Sequence, residues 1–397
     1  MNLYDRWLLP AGIEESLPDE AFALEQMRRQ LLDMFASWGY ELVIPPFIEF
    51  LESLLITKDG DLGLQTLKLT DQLSGRLMGV RADMTPQVAR IDADRLKREH
   101  PTRLCYLGTV LQARPEHAGG TRSPLQVGAE LYGHAGVESD TEIINLMLES
   151  LRVTGVEDFV LDLGHVGIFR ALVNQAGLNA EQQKRLLELL QSKADSEVNA
   201  FLQTLSLEPA ISAALSSITS LYGNRDVLAT ARTHLSSVCP EAVNAINYIE
   251  QVADALLMAW PTLSIHYDLA EPQGYEYQNG IVFAAYKAGV GQALARGGRY
   301  DSIGQSFGRA RPATGFSADL KTLMRVAGTP RPNKKSAIFA PLSCDSALAD
   351  AIRRLRTQGE VVIQALSIEP NEATDVGCDR ELVYNNNKWT VREISDE

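Results

Sequence analysis

The sequence predicts an α+β protein in which an antiparallel sheet is flanked by helices, interrupted by an all-helical insertion and followed by a small C-terminal α/β domain. Three observations predict this fold class: β-prone segments on both sides of the insertion, capped helices without strand signals from about 169 to 260, and a proline-rich linker at 328–335. A chain of 397 residues has room for about two or three domains of ordinary size.

The first helix is predicted to start at Ser16-Leu17-Pro18-Asp19, where a hydroxyl N-cap precedes a proline in the first turn and an acid three residues after the cap. The apolar residues that then recur at helical spacing are Leu24, Met27, Leu31, Met34, Phe35 and Trp38. Gly39 is suited to ending this helix, because glycine adopts the left-handed conformation common after helix C termini.

β-prone sequence surrounds the insertion. Before it, strands are predicted at 40–44, 77–83, 103–112 and 125–133, with a loop from 114 to 124. Pro45-Pro46 follows the first of these strands, and its missing N–H groups suit a sheet edge or an interface. After the insertion, strands are predicted at 264–269, 280–286 and 291–296, and a helix at 317–326.

The domain boundaries follow from these elements. We expect a main domain over 1–327 that includes the insertion at about 169–260, a linker over 328–335, and a small α/β domain over 336–397. The last piece has about 60 residues, close to the lower limit for a stable core. Asn385-Asn386-Asn387 predicts a hairpin within it.

Composition disfavours several classes of function. Thirty-seven Lys and Arg stand against 51 Asp and Glu, and the net charge of −14 disfavours an extended nucleic-acid surface. The four cysteines are far apart and form no C-x-x-C pair, so we expect no metal site and no disulfide framework. The N terminus lacks an apolar signal core and no stretch approaches ~18 apolar residues, so we expect a cytoplasmic protein with no membrane partner and no cofactor.

Two polar sets at strand spacing are the most informative candidates for a binding site. Asp83 and Thr85 form one set, and Gln126, Gly128 and Glu130 form the other; a period of two places each set on one face of its strand. Gly128 would leave room for a ligand, and a carboxylate at a β-rich centre favours an amine or imidazole. The same residues are consistent with a self-satisfied polar network that has a β-bulge at Gly128.

Four segments together resemble the class II aminoacyl-tRNA synthetase catalytic domain in its histidyl form, over about residues 4–326. Gly39-Tyr40-Glu41-Leu42-Val43-Ile44-Pro45-Pro46 resembles the element that forms the dimer interface in that class. The segments that resemble its histidine-binding parts are Val80-Arg81-Ala82-Asp83-Met84-Thr85, Leu125-Gln126-Val127-Gly128-Ala129-Glu130-Leu131-Tyr132-Gly133 and Arg296-Gly297-Gly298-Arg299-Tyr300-Asp301.

This resemblance implies a histidine-binding site. The contacts that it implies, with Arg114 standing in for a missing arginine, are Asp83, Thr85, Arg114, Gln126, Glu130, Tyr277 and Tyr300. Glu130 and Gln126 are expected at the ligand amine or imidazole, while the two tyrosines supply walls and hydroxyls. Asp83 is one methylene shorter than the glutamate usual in synthetases.

The chain departs from the synthetases at the arginines that hold ATP. By resemblance, the first arginine falls at Gln112 in one register or Arg114 in the other, the second at Gln273 and the third at Thr322. One well-placed charge contributes about 3–4 kcal/mol to such a transition state. The loss of two or three therefore makes efficient adenylation implausible.

A histidine pocket without the ATP side resembles the family of ATP phosphoribosyltransferase regulatory subunits. That resemblance implies a non-catalytic chain that raises the turnover of a short catalytic subunit in the first step of L-histidine biosynthesis and transmits inhibition by histidine. It also implies a synthetase-type homodimer inside a hetero-octamer, without tRNA binding.

Two alternatives stay open at this stage. A histidine–tRNA ligase would show pyrophosphate exchange that depends on histidine and ATP. Another synthetase paralogue, for example one that loads a carrier, would differ from the regulatory subunits only in its partner.

Overall fold

The computed structural model describes residues 7–55, 61–115, 120–192, 194–270, 278–328, 336–366 and 372–394. By its internal contacts the chain divides into two compact units, Met1–Pro330 and Arg331–Glu397. None of the helices in the described ranges has the length and apolar run that a transmembrane segment requires.

The first unit contains a long mixed sheet and a short three-stranded sheet. Its strands, numbered in chain order, are β1 (Glu41–Leu42), β2 (Ile48–Phe50), β3 (Leu67–Thr70), β4 (Leu77–Val80), β5 (Thr102–Thr109), β6 (Leu125–Tyr132), β7 (Phe159–His165), β8 (Tyr222–Gly223), β9 (Ser264–Asp268), β10 (Ile281–Lys287), β11 (Ala295–Arg299) and β12 (Ala313–Asp319). In the described chain the long sheet has the order β1-β5-β6-β12-β11-β10-β7-β9-β8, and the short sheet β2-β4-β3. Neighbours in the long sheet are antiparallel except β1 with β5 and β7 with β9.

The helices of the first unit lie before, between and after these strands. They are α1 (Pro18–Ser37), α2 (Leu51–Leu54), α3 (Asp61–Gln65), α4 (Thr85–Arg90), α5 (Val137–Val153), α6 (Val166–Gln175), α7 (Ala180–Gln191), α8 (Asp195–Gln203), α9 (Pro209–Ser217), α10 (Asp226–Leu235), α11 (Pro240–Ala259) and α12 (Leu320–Ala327). A π-helical turn at Ile91–Leu96 extends α4, and short 3-10 turns lie at Ile218–Ser220 and Ile303–Phe307.

The two faces of the long sheet have different coverings. One face packs on α1, α5 and α12 in a large apolar core, to which β6 contributes Val127, Ala129 and Leu131. The other face carries a smaller cluster that includes Met84, Tyr106 and Tyr300. Because successive side chains of a strand point to opposite faces, the polar residues of β6 are directed toward this smaller cluster.

The insertion lies between β7 and β9 and is helical from α6 to α11 except for the two residues of β8. Asn179 starts α7 with a capping box: its side chain accepts from the Gln182 N–H, and Gln182 accepts from the Asn179 N–H. The buried face of α11 includes Ile246, Ile249 and Leu256, and it joins the large core beside α5 and α6.

Some boundaries differ from those predicted from the sequence. Ser16 is not the N-cap of α1; Leu17 holds that position, without a side-chain hydrogen bond. The strand predicted at 77–83 ends at Val80, and the one predicted at 291–296 lies at 295–299. The helix predicted at 317–326 begins only at Leu320, because the small residues of 313–319 form β12, which is buried between β6 and β11.

The second unit is a small α/β sheet. Its elements are β13 (Ala337–Ala340), α13 (Ser346–Thr357), β14 (Val361–Gln364), α14 (Glu372–Asp375), β15 (Arg380–Asn385) and β16 (Lys388–Glu393). The strand order is β14-β13-β15-β16, with only the last pair antiparallel. Asn386 and Asn387 have φ of 48° and 61°, the left-handed pair that a tight hairpin turn requires.

A buried ion pair connects three parts of the first unit. Arg299, at the end of β11, donates to both carboxylate oxygens of Asp140 at 2.9 and 3.1 Å. Asp140 lies in the first turn of α5, and Tyr248 of α11 donates to the same carboxylate at 2.6 Å. The Arg299 and Asp140 side chains are only 8% and 0% exposed, and Arg299 also pairs with Asp301 at 3.1 Å, so these charges depend on one another rather than on water.

Replacing Asp140 by alanine should lower the free energy of unfolding by about 3 kcal/mol, because Arg299 would lose its fully buried partner and be left with the partly exposed Asp301. Urea unfolding followed by circular dichroism measures this change. The control Glu149→Ala removes a pair with the exposed Arg152 on the same helix and should cost less than about 1 kcal/mol. Equal costs for the two variants would contradict the role given to the buried pair.

Candidate functional site

The candidate site is centred on β6, between β5 and β12. Gln126, Gly128 and Glu130 follow one another on one face of this strand, as their spacing predicts. All three are buried, and β6 is paired with a neighbouring strand on each side. The site is therefore built into the middle of the sheet and not onto a surface loop.

Glu130 is the most deeply buried of these residues, with 1% of its surface exposed. Its Oε1 accepts a hydrogen bond from the Tyr106 hydroxyl at 2.9 Å, and its Oε2 accepts one from the Tyr300 hydroxyl. Burial raises the pKa of Glu130 well above its ordinary value, the negative charge of Asp83 adds to the rise, and the hydroxyl of Tyr106 opposes it.

Gln126 joins the carboxyl group of Asp83 to the same network. Its Nε2 donates to Asp83 Oδ1 at 2.7 Å, and its Oε1 accepts from the Met84 N–H at 2.9 Å. The Asp83 carboxylate also accepts from the Thr85 N–H at 3.1 Å. The Thr85 hydroxyl lies 3.2 Å from the Tyr106 hydroxyl, so hydrogen bonds run without a gap from Asp83 to Glu130.

Asp83 and Thr85 reach the site by a different route from the one predicted. They do not share one face of a strand, because β4 ends at Val80 and Thr85 is the first residue of α4. Asp83 accepts from the N–H two residues later, which is the turn that aspartate commonly forms before a helix. The turn, and not strand alternation, brings both side chains to Gln126.

Gly128 does not leave open space for a ligand. A Cβ atom there would lie 2.5 Å from both the Tyr106 hydroxyl and the Phe316 carbonyl oxygen, so the glycine makes room for Tyr106. The pairing of β6 with both neighbours is continuous through this residue, and there is no β-bulge. Gly315 has the matching role on β12, because a Cβ there would meet the Glu130 carboxylate.

Tyr106 is a site residue that the sequence reasoning did not find. It lies directly opposite Gly128 across the β5 and β6 pair, and it touches both Glu130 and Thr85. An aromatic residue facing a glycine in adjacent strands was the available signal, but it needs the strand register. Tyr132, on the same face as Glu130, is also buried, and its hydroxyl has no partner among the described residues.

The remaining expected contacts are Arg114, which the structure describes, and Tyr277, which it does not. Arg114 is exposed, and no hydrogen bond or ion pair in the described chain joins it to the site. Tyr277 and Gln273 lie in the segment 271–277, outside the described residues.

Gln112 and Thr322, two of the positions that resemble the ATP side of a synthetase, carry no cation, and the alternative to the first of them is the exposed Arg114. Gln112 is buried, and its Oε1 has no partner within the described ranges. Thr322 takes part in the start of α12: the N-cap Asp319 accepts from the Thr322 N–H at 3.3 Å and from its hydroxyl at 2.7 Å. Asp319 also accepts from the Leu125 N–H at 2.9 Å, which ties this cap to the start of β6.

The site as a whole has an excess of negative charge. No hydrogen bond or ion pair among the described residues joins Asp83 or Glu130 to a lysine or arginine. The segment 271–277 contains neither residue type in its sequence. Hydroxyls and one amide solvate the two carboxyl groups, so a cationic ligand would supply the charge that the protein does not.

Two family models match the chain. The model described as histidyl-tRNA synthetase matches residues 12–323, and the model described as ATP phosphoribosyltransferase subunit HisZ C-terminal domain matches residues 335–392. Among curated proteins, the chain is 54% identical over 391 residues to the ATP phosphoribosyltransferase regulatory subunit of Thioalkalivibrio sulfidiphilus, covering 98% of this chain and 99% of that one. It is 49% identical over 396 residues to that of Stutzerimonas stutzeri, covering 100% of both.

Solved structures agree on the fold. An ATP phosphoribosyltransferase regulatory subunit/histidyl-tRNA synthetase from Bacillus halodurans C aligns with a TM-score of 0.82 at 26% identity, covering 94% of this chain and 97% of that one. A histidyl-tRNA synthetase from Nostoc sp. PCC 7120 aligns with a TM-score of 0.77 at 18% identity, covering 98% and 94%, which is evidence for the fold alone. The fold class predicted from the sequence is confirmed.

Glu130 predicts a pH dependence of stability. Because burial raises its pKa, the folded protein keeps a proton that the unfolded chain releases above about pH 4.5. The stability tied to this proton is complete below that pH and is lost as the pH rises through the folded pKa. Glu130→Gln should therefore gain stability over the wild type by about 1.4 kcal/mol for each pH unit in that window.

Urea unfolding of the unliganded proteins between pH 5 and 8 measures this difference. Glu149→Gln serves as the control, because Arg152 holds the pKa of Glu149 below its ordinary value, and Glu149 is then ionised in both states over this range. A difference between wild type and Glu130→Gln that does not change with pH would contradict the prediction.

Proposed function

The chain belongs to the family of ATP phosphoribosyltransferase regulatory subunits, and we propose that it raises the turnover of a separate catalytic subunit and inhibits that subunit when histidine binds. In this proposal the chain has no catalytic residue of its own, and the catalytic subunit performs the first step of L-histidine biosynthesis. The support is the full-length likeness to relatives that carry the regulatory-subunit name. The assembly proposed, from the family resemblance, is a hetero-octamer.

The observation that carries the histidine part is the buried carboxyl group of Glu130. It is held by hydroxyls only, and a second carboxyl group, that of Asp83, lies in the same network. Histidine brings an ammonium group and an imidazole that can accept a proton, so it matches both carboxyl groups. Binding of the cation would favour release of the proton that burial keeps on Glu130, so the carboxylate of the complex is a paired charge.

We propose specific contacts for the ligand. Glu130 and Gln126 contact the amine or the imidazole, with Asp83 and Thr85 beside them. Tyr300 positions the Glu130 carboxylate through its hydroxyl. Tyr277 is kept as a wall of the pocket, and Arg114 is not included, because its side chain lies on the surface.

Regulation then requires that histidine bind one state of the complex more tightly than another. A coupling of about 1–3 kcal/mol, or about 5- to 150-fold in affinity, is typical of such linkage. The same coupling must work in both directions, so the catalytic subunit in its inhibited arrangement should increase the affinity for histidine. Adenylation receives less support, because Gln112 and Thr322 are uncharged and Arg114, the alternative to Gln112, is exposed and has no hydrogen bond or ion pair to the site among the described residues. We expect no tRNA binding.

The central experiment mixes the protein with a purified short-form catalytic subunit and measures the rate of ATP condensation with phosphoribosyl pyrophosphate. We expect the rate to rise on mixing and to fall again when L-histidine is added. Isothermal titration calorimetry should detect L-histidine binding to the isolated protein. No change in rate on mixing, or no heat of binding, would overturn the proposal.

Glu130→Gln should weaken histidine binding by at least about 30-fold and abolish feedback inhibition, since removing one member of a buried charge pair costs about 2 kcal/mol or more. Tyr106→Phe should weaken binding by a smaller factor, because only a hydrogen bond to Glu130 is lost.

Tyr132→Phe is the matched control for these variants. It removes a buried hydroxyl on the same face that has no partner among the described residues, so histidine affinity should not change. A wild-type affinity in Glu130→Gln would remove this residue from the site.

A homodimer is proposed from the first strands. β1 is an edge strand of two residues, and the stretch from its last residue to the start of β2 carries exposed apolar side chains, which are Leu42, Ile44, Phe47 and Ile48. An exposed apolar group next to a sheet edge is typical of an interface. The group lies in the part of the sequence that resembles the class II dimer element.

Ile44→Glu should convert the dimer into a monomer, because Ile44 is 81% exposed in the single chain and would bury a charge in the interface. Light scattering after size-exclusion chromatography measures the mass. Met258→Glu changes an equally exposed apolar residue on α11 and should leave the dimer intact. A monomeric wild-type protein would contradict the proposed interface.

A further inference from the structure

The N-terminal arm, residues 7–17, presents a second group of exposed apolar side chains. Trp7 and Leu8 are 81% and 74% exposed, and Leu9 and Leu17 are exposed as well. Phe22, in the first turns of α1, continues this group along the chain. Large apolar residues so close together in sequence and so open to water are typical of a surface that is covered in an assembly.

The arm is held in place by the first unit of the protein. Arg122 donates from its backbone N–H to the Gly12 carbonyl at 2.7 Å and from Nη1 to the Ala11 carbonyl at 3.2 Å. Gly12 has φ of +76°, and a Cβ atom there would lie 2.9 Å from the Arg122 side chain, so only glycine allows this contact. The arm therefore offers its apolar side chains from a fixed base, which lowers the entropic cost of docking.

The same segment has a strongly acidic edge. Residues 7–27 contain no lysine or arginine, while they include Glu14, Glu15, Asp19 and Glu20. None of the ion pairs within the described ranges involves these four carboxylates, and three of them are exposed. The apolar group is thus bordered by acidic side chains that form no ion pair within the described ranges.

The acidic side chains beside the arm indicate which kind of partner can bind it. Two copies that met through their arms would bring two uncompensated acidic edges together, which like-charge repulsion disfavours. A different chain with an apolar pocket edged by lysine and arginine would bury the arm and pair its acids. The arm is also a separate stretch of sequence from the apolar group after β1 that is proposed for the homodimer.

We propose that the N-terminal arm is the surface that docks the catalytic subunit, with Trp7 and Leu8 entering an apolar pocket that has a basic edge. This inference rests on the proposed function, because it presumes a catalytic partner. It assigns the two apolar groups of the first unit to two interfaces, one between copies and one between different chains.

The test uses the full-length double variant Trp7→Ser/Leu8→Ser with the purified catalytic subunit. Its affinity for that subunit, measured by calorimetry, should fall at least tenfold, and activation at limiting concentrations should fall with it. Histidine binding and the mass of the isolated protein should stay unchanged. Met258→Ser, which removes an exposed apolar side chain on α11, should bind the catalytic subunit as the wild type does.

Glu14→Lys/Glu15→Lys tests the acidic edge and should weaken the complex at low salt by a factor that shrinks as salt is added. A photoreactive benzoylphenylalanine in place of Leu8 should crosslink to the catalytic subunit. Wild-type affinity in Trp7→Ser/Leu8→Ser, or crosslinks only between copies of this chain, would overturn the docking surface. Because wild-type activation is measured in the same series, its absence would instead overturn the proposed function, and the docking surface with it.

Discussion

The residues at the centre of the first unit are arranged around a single carboxyl group, that of Glu130. It is buried in the middle of β6, where a carboxyl group without hydrogen-bond partners would destabilise the fold. Tyr106 at β5 and Tyr300 after β11 supply those partners, and the absence of a side chain at Gly315 leaves room for the carboxyl group. The close-packed register of β5, β6 and β12 is what keeps these groups at bonding distance.

That arrangement is suited to sensing and not to chemistry. The carboxyl groups of Glu130 and Asp83 are connected through hydroxyls and one amide, without a cation and without a nucleophile paired to a base. Binding energy in such a site comes from completing an unfinished charge balance. A regulatory subunit needs just this property, because the free energy of ligand binding is available to shift an assembly between states.

The sequence predicted the fold class from its pattern of helix and strand signals, and it predicted the shared face of β6 from strand periodicity. Gln126 and Glu130 share a face because side chains alternate along a strand, as their spacing predicts. Tyr106 was not found, since its role depends on which residue it faces across two strands, and register is not visible in one segment. Asp83 and Thr85 were found for the wrong reason, because a turn followed by α4 imitates the spacing of a strand.

The elements that the sequence did not predict have a common physical cause. β12 is made of small residues and becomes a strand because it is buried between two others, so long-range packing decides its conformation. Packing likewise explains why the helix after β12 begins at Leu320 and not at the predicted Ser317. Asp319 provides its N-cap. Local signals were reliable where helices cap themselves, as Asn179 does in the insertion.

The cap formed by Asp319 and Thr322 couples two elements of the first unit. The hydroxyl and N–H of Thr322 complete the start of α12, and the same aspartate anchors the first residue of β6. A larger side chain at position 322 would remove the hydroxyl bond to Asp319 and loosen the group that both elements share. A change at this one position therefore acts on a helix and on the central strand of the site together.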